Sequence, residues 1–390
     1  MARTRLRHPP ASASATARRR FRKRAGLDDG ELTALADDVD ALPAAGWCAG
    51  AVVAAGRGPY LAVEHATGWA LRYAAYDPAA GHGVELPPEA WLPMRTDTLF
   101  DLASVTKVFT ALAALQQYER GALELDAPAA RYARAGTGAP DHGITVRQLL
   151  THTSGLRPEL PLYTYNTAEH AELLWAEQPL DDPGRSRRYS DLNLLLLQLV
   201  LTQVAGRPLD ALVRDGITKP LGMAATRFRP PRGWRARTAA TEDQRKPWAK
   251  LNRGLVHGRV HDENAYAMGG VAGHAGLFST ARDLAVLCRT LLGGGAYGTA
   301  RILAPSSVEL LLEPPGLGVE VGARWFMGEL GERAAGHTGF TGTSMVLDPA
   351  TDTFLVLLAN TVHPVRRPAD SAPRAQAATR LAQAVRAART

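Results

Sequence analysis

Leu99-Phe100-Asp101-Leu102-Ala103-Ser104-Val105-Thr106-Lys107 is the stretch on which the reading of this chain turns. It holds the sole Ser-x-x-Lys of the 390 residues, in a chain where only 5 of the 45 basic side chains are Lys. Downstream, Val108, Leu112 and Leu115 recur at helical spacing, so a helix is expected over 104–119, closed by Gly121. Ser104 then stands at a helix start, where free N–H groups and the dipole favour a developing anion. Lys107 lies one turn along the same face, within reach of the serine oxygen. A serine hydroxyl needs a base to become a nucleophile, and lysine serves only if its pKa falls from about 10.4 toward neutrality. Taken alone, the tetrapeptide reads more readily as an N-capping serine beside an exposed lysine.

Two later stretches change that weighting. Tyr189-Ser190-Asp191 puts a tyrosine at the mouth of the apolar run 192–204, and Gly336-His337-Thr338-Gly339-Phe340 precedes an expected strand. Ser-x-x-Lys, then Tyr-x-Asp, then His-Thr-Gly, in that order, resembles the penicillin-recognising serine hydrolases. Within them the likeness is to the class C β-lactamase and esterase branch, which is penicillin-binding-protein-like. Flanking segments agree, among them Thr151-His152-Thr153-Ser154-Gly155-Leu156 and Gly339-Phe340-Thr341-Gly342. Val260-His261-Asp262-Glu263-Asn264-Ala265 and Gly273-His274-Ala275-Gly276-Leu277-Phe278-Ser279-Thr280 are similar to a peptidoglycan-linked subgroup. Its members resemble N-acetylmuramoyl-alanine amidases and D-alanyl-D-alanine carboxypeptidases.

The resemblance implies an α+β fold, an antiparallel sheet flanked by helices with an inserted all-helical region. It also implies a serine hydrolase working through an acyl-enzyme on an amide or ester, with no cofactor and no metal. Ser104 carries over as nucleophile, and Lys107 and Tyr189 as the groups that take its proton and return it. The N–H groups of Ser104 and Phe340 carry over as the oxyanion hole, and Asp191, His337, Thr338 and Gly339 as substrate-binding positions. Two positions depart from the family pattern. Asp191 stands where Asn is usual, and a carboxylate beside Lys107 raises the lysine pKa, which favours a Tyr189–Lys107 pair sharing one proton. His337 stands where Lys is usual, so a charge for a substrate carboxylate is expected only below about pH 6.5. A non-catalytic or slowly deacylating sensor of muropeptides or penicillins on the same fold is the rival reading.

Composition excludes other classes. Hydrophobic residues make up 46% and charged residues 21%, an ordinary globular balance, and two cysteines cannot form a disulfide framework. The net charge of +7 comes from residues 1–24, which hold eight Arg and one Lys without an acid. The body is near neutral, so no nucleic-acid partner is expected; the partner is a small-molecule or peptide substrate such as a cell-wall fragment. Arg18-Arg19-Arg20-Phe21-Arg22-Lys23 lacks a following apolar segment, so no signal peptide is read and a cytoplasmic location is expected. No apolar run approaches the roughly 18 residues of a membrane span. His257, His261, Asp262 and Glu263 are the nearest approach to a metal-ligand spacing, without an evident further ligand.

Periodicity supplies the rest of the expected architecture. A hairpin is read from 49–55 and 60–72 about Gly56-Arg57-Gly58, helices at 31–42, 168–177, 192–204, 209–213, 281–292 and 306–312, and a closing helix at 375–388. Thr145 and Gln148 form a capping box, and strands are expected at 325–330, 343–347 and 353–358. The division that follows is a disordered basic tail over 1–27, an α/β sheet core over 28–124 and 246–390, and a helical insertion over 125–245.

Overall fold

The computed structural model describes residues 5–9, 14–133 and 139–388. Its centre is a sheet of seven strands: β1 (Gly50–Arg57), β2 (Tyr60–Leu71), β3 (Leu92–Pro93), β4 (Glu320–Val321), β5 (Ala335–Thr338), β6 (Ser344–Asp348) and β7 (Thr353–Ala359). They lie in the order β4-β5-β6-β7-β1-β2-β3, with every neighbouring pair antiparallel. Strands from the two ends of the chain thus meet at the β7–β1 seam, where Ala51 pairs with Ala359 and Arg57 with Thr353.

The sheet is covered on both faces, and the two-residue period of its central strands sorts their side chains. Val52, Ala54, Met345, Leu347, Phe354, Val356 and Leu358 enter one hydrophobic cluster, while Ala51, Val53, Val346, Leu355, Leu357 and Ala359 enter the other. The second face is closed by the helices Asp29–Ala41, through Leu32, Leu35 and Val39, and Ala372–Ala387, through Ala377, Leu381 and Val385. Against the first face lie Thr106–Glu119 and Ala281–Leu292. That cluster continues without a break into the helix Asp191–Ala205, through Leu192, Leu195 and Leu197. One apolar core therefore joins the sheet to the helices that follow it.

Most expected elements stand where the pattern put them, including the capping box at Thr145 and Gln148, which opens the helix Val146–Thr151. Three expectations need correction. Residues 14–27, expected as part of a disordered tail, hold the helix Ala15–Arg24, capped by Ser14. Phe21 packs edge-on against Tyr60 at 5.2 Å, Arg22 donates to Asp29 Oδ1 at 2.9 Å, and Ala25 and Leu27 are buried. Apolar and ionic docking on β2 overrides the composition of that segment; residues 1–4 and 10–13 of the tail lie outside the described residues. Second, 325–330 is not a strand but a helical turn at Arg324–Met327, because Phe326 and Met327 pack on the closing helix instead of joining the sheet. Third, within 125–245 the residues Arg227–Phe228 and Ala240–Gln244 are strands. The first pairs with Leu277–Ser279, about 50 residues on, and the second, whose polar residues carry no alternating apolar pattern, forms a hairpin with Gly254–His257.

No single helix among the described residues is long and apolar enough to cross a membrane. At the β1–β2 turn, the register shifts between Ala55 and Gly56, and a Cβ on Gly56 would lie 2.1 Å from the Tyr60 carbonyl oxygen and 2.5 Å from the Phe354 ring. Gly56→Ala must therefore move backbone, and is expected to cost about 1–3 kcal/mol. Urea unfolding checks this: the midpoint should fall with an unchanged m-value.

Candidate active site

A cleft of about 940 Å³ opens between the sheet edge at β5 and the helical part, with Ser104, Tyr189, Asp191, His337 and Phe340 on its walls. Ser104 lies in a short turn, Ala103–Val105, that leads directly into the helix Thr106–Glu119. Its neighbour Ala103 holds a left-handed backbone, φ 45°, which is strained for a residue with a Cβ. Hydrogen bonds from distant segments hold that turn in place. Asp101, buried, accepts from Ala103 N at 2.9 Å and from His261 N at 2.6 Å. Thr341 and Thr343 donate to the carbonyls of Asp101 and Leu102, at 2.7 and 2.9 Å.

Lys107 has no exposed surface. Its Nζ donates to Ser104 Oγ at 2.8 Å and to the His274 carbonyl at 3.2 Å. Asp191 Oδ1 stands 2.8 Å away, an ion pair rather than an aligned hydrogen bond. Burial alone would drive the lysine toward its neutral form, but Asp191 and Tyr189 outweigh burial and leave its pKa above the usual value. The effect of Asp at this position is therefore the one expected from the sequence.

Tyr189 closes the cluster. Lys107 Nζ sits 4.9 Å from its ring centroid, and burial of the hydroxyl raises its pKa against the pull of the Lys107 charge. The ring stacks on His152, centroids 4.5 Å apart, and tilts against His337 at 6.1 Å. His152, itself a left-handed helix cap with φ 57°, accepts at Nδ1 from Ser190 N (3.1 Å) and Asn193 Nδ2 (3.0 Å). Burial, with the Lys107 charge, holds it neutral and well below the usual histidine range. The turn bearing Tyr189 is thus fixed to the helix Asp191–Ala205 through a histidine whose sequence context gave no reason to choose between structure and function.

His337 and Thr338 end β5, and Phe340 follows with its ring half-exposed. His261 stacks on that ring at 5.6 Å, and the Arg366 guanidinium sits 5.9 Å from its centroid. Both are locked by buried Glu242, which receives His261 Nε2 at 2.9 Å and Arg366 Nη2 at 2.7 Å. The Phe340 N–H has no protein acceptor among the described residues. These supports were missed in the sequence because their members are separated by up to 124 residues.

His337 departs from expectation. It is buried, its Nδ1 bonds the Thr338 carbonyl at 2.7 Å, and burial together with the Lys107 charge pulls it down to about 3. It is neutral throughout the range where a switch near pH 6.5 was expected, so it offers no cation to a substrate carboxylate. The metal-like spacing also dissolves in space. His257 bonds the Thr238 carbonyl, His261 pairs with Glu242, and Asp262 pairs with His274 at 2.9 Å. Among the described residues no group of three or more such side chains could hold a metal ion.

The Beta-lactamase family profile matches residues 35–379. The chain belongs to the beta-lactamase family. It is 34% identical over 311 residues to the protein named "Putative D-alanyl-D-alanine carboxypeptidase" of Escherichia coli (strain K12), spanning 70% of this chain and 71% of that one. It is 31% identical over 306 residues to N-acetylmuramyl-L-alanine amidase of Bacillus subtilis (strain 168), spanning 69% of each. In fold it is similar to a penicillin-binding protein homolog from Caulobacter crescentus, with a TM-score of 0.67 at 22% identity, covering 93% and 98% of the two chains. The resemblance read from the three motifs and from the 260–280 region is thereby established, and with it the α+β fold of this family.

For a beta-lactamase-family site the neutral state of His337 is directly measurable. Its ring proton shifts should stay flat from about pH 8 down to about pH 5 by NMR. A midpoint inside that window would contradict the burial argument.

Proposed function

We propose that this hydrolase of the beta-lactamase family acts through a covalent acyl-enzyme on Ser104, on an amide or ester of cell-wall peptide type. The observation that carries the reading is the contact of Ser104 Oγ with a buried lysine, 2.8 Å away, on the wall of a cleft that Phe340 also lines. The names of the carboxypeptidase and amidase relatives support the substrate class.

In this mechanism Ser104 Oγ attacks the substrate carbonyl carbon, and its proton passes to the Tyr189–Lys107 pair. The carbonyl electrons move onto oxygen, which the N–H groups of Ser104 and Phe340 receive; one such donor is worth about 3–4 kcal/mol in comparable sites. Collapse expels the amine or alcohol, protonated by the same pair, and leaves the acyl group on Ser104. Water then attacks the ester, giving up its proton to the pair, and the carboxylic product departs as Ser104 regains a proton. With Lys107 charged and Tyr189 neutral at rest, the pair must lose one proton before it can accept another. Thr338 and Gly339 line the substrate side of β5, while neutral His337 shapes the cleft without binding charge.

Intact-mass labelling with a fluorophosphonate tests the nucleophile. Wild type should gain a single adduct at Ser104, and a folded Ser104→Ala variant none; an adduct elsewhere contradicts the assignment. The base makes a separate prediction. Activity should climb with pH as the pair loses its proton, and Asp191→Asn removes the carboxylate that stabilises charged Lys107. The deprotonated pair then forms at lower pH, so the rising limb of kcat/KM should move down by about 1–3 pH units. An unmoved limb would show that Asp191 does not set the titration of the pair.

A further inference from the structure

Arg374 lies in the first turn of the Ala372–Ala387 helix, on the wall of the cleft, and is 7% exposed. Among the described residues its guanidinium forms no ion pair with a carboxylate, and its Nε finds no acceptor. Nη1 donates to the Asp370 carbonyl (3.3 Å) and to Ser371 Oγ (3.1 Å), and Nη2 donates to the Gly339 carbonyl at 3.2 Å. The carboxylate of Asp370 caps Ala372 N instead. Burial pulls the group down to about 10, which still leaves it charged at neutral pH. A buried cation directed at neutral carbonyls is costly, so its target matters.

The target is the far end of a peptide unit already used. Because the peptide is planar, the Gly339 carbonyl and the Phe340 N–H belong to one rigid group. That carbonyl also accepts from Gly342 N at 3.0 Å. Glycine is required there: a Cβ on Gly339 would stand 2.2 Å from Thr343 Oγ1 and 2.3 Å from the Leu102 carbonyl oxygen. A cation at the oxygen orients this unit and, by polarising it, strengthens its N–H as a donor.

We propose that Arg374 is a positioning residue for acyl transfer, holding and polarising the Gly339–Phe340 peptide so that the Phe340 N–H meets the developing oxyanion. The inference rests on the reading of Ser104 as nucleophile and of the Phe340 N–H as oxyanion donor.

Arg374→Met and Arg374→Lys are compared with wild type on a neutral p-nitrophenyl ester and with phenylboronic acid, whose serine adduct places a charged oxygen in the oxyanion position. For Arg374→Met, kcat should fall about tenfold with KM within about twofold, and boronate affinity should fall in parallel. This is a fraction of the roughly 10²–10³ lost when a donor itself is removed. Arg374→Lys, keeping the charge but not the fork, should lie between, and carries the test by itself if the Met variant does not fold. Fluorophosphonate labelling of wild type separates the two readings. An unlabelled wild type overturns the Ser104 reading and this inference with it. A labelled wild type whose variants keep kcat and boronate affinity overturns this inference alone. So does a loss confined to carboxylate-bearing esters, which would make Arg374 a substrate contact, and so does a fall in kcat without a matching fall in boronate affinity.

Discussion

The completely buried ammonium of Lys107 is the constraint around which the cleft is arranged. Removing such a charge from water costs several kcal/mol unless its donors are met and a counter-charge is near. Each of its partners comes from a different part of the chain: Ser104 from its own turn, Asp191 from the helix across the cleft, and the His274 carbonyl from the 273–280 segment. A fold that satisfies this one cation has already brought Ser104 and Tyr189 up against it. Asp191 and Tyr189 together set the balance toward charge, so Lys107 is held as an ammonium at neutral pH.

Local spacing explains why part of this was legible in the sequence. Ser104 and Lys107 are a turn apart on one helix, and Tyr189 and Asp191 flank the start of another, so the motif carried its own geometry. The sheet was legible where strands are unbroken apolar runs buried on both faces, as in β1 and β7. Short apolar runs were not, because Phe326 and Met327 fit a strand or a helical turn equally until the closing helix packs on them. The charge state of His337 was invisible for a related reason. Burial decides it, and burial at the end of β5 depends on residues from across the molecule. Asp101 was in the decisive stretch, yet its role became visible only when His261 arrived from 160 residues away.

The supports around the cleft share a pattern. Phe340 is held through His261 and Arg366 to Glu242, and Tyr189 through His152 to Asn193 and Ser190. In each case a residue on the cleft wall is fixed by a buried polar group. Such groups fix the two aromatic rings on the cleft wall from behind, without themselves contacting Ser104.

Ala103 gives this preorganisation a location. Its left-handed backbone places Ser104 at the head of the helix, and a residue with a Cβ pays about 1–2 kcal/mol for that conformation. Folding bears that load, so substrate does not have to. A glycine at 103 would adopt the same conformation without that cost, and would also widen the backbone freedom of the turn that carries Ser104. Stability and rigidity are therefore opposed at this one residue, and a search for hardier variants would be drawn to the turn that holds Ser104.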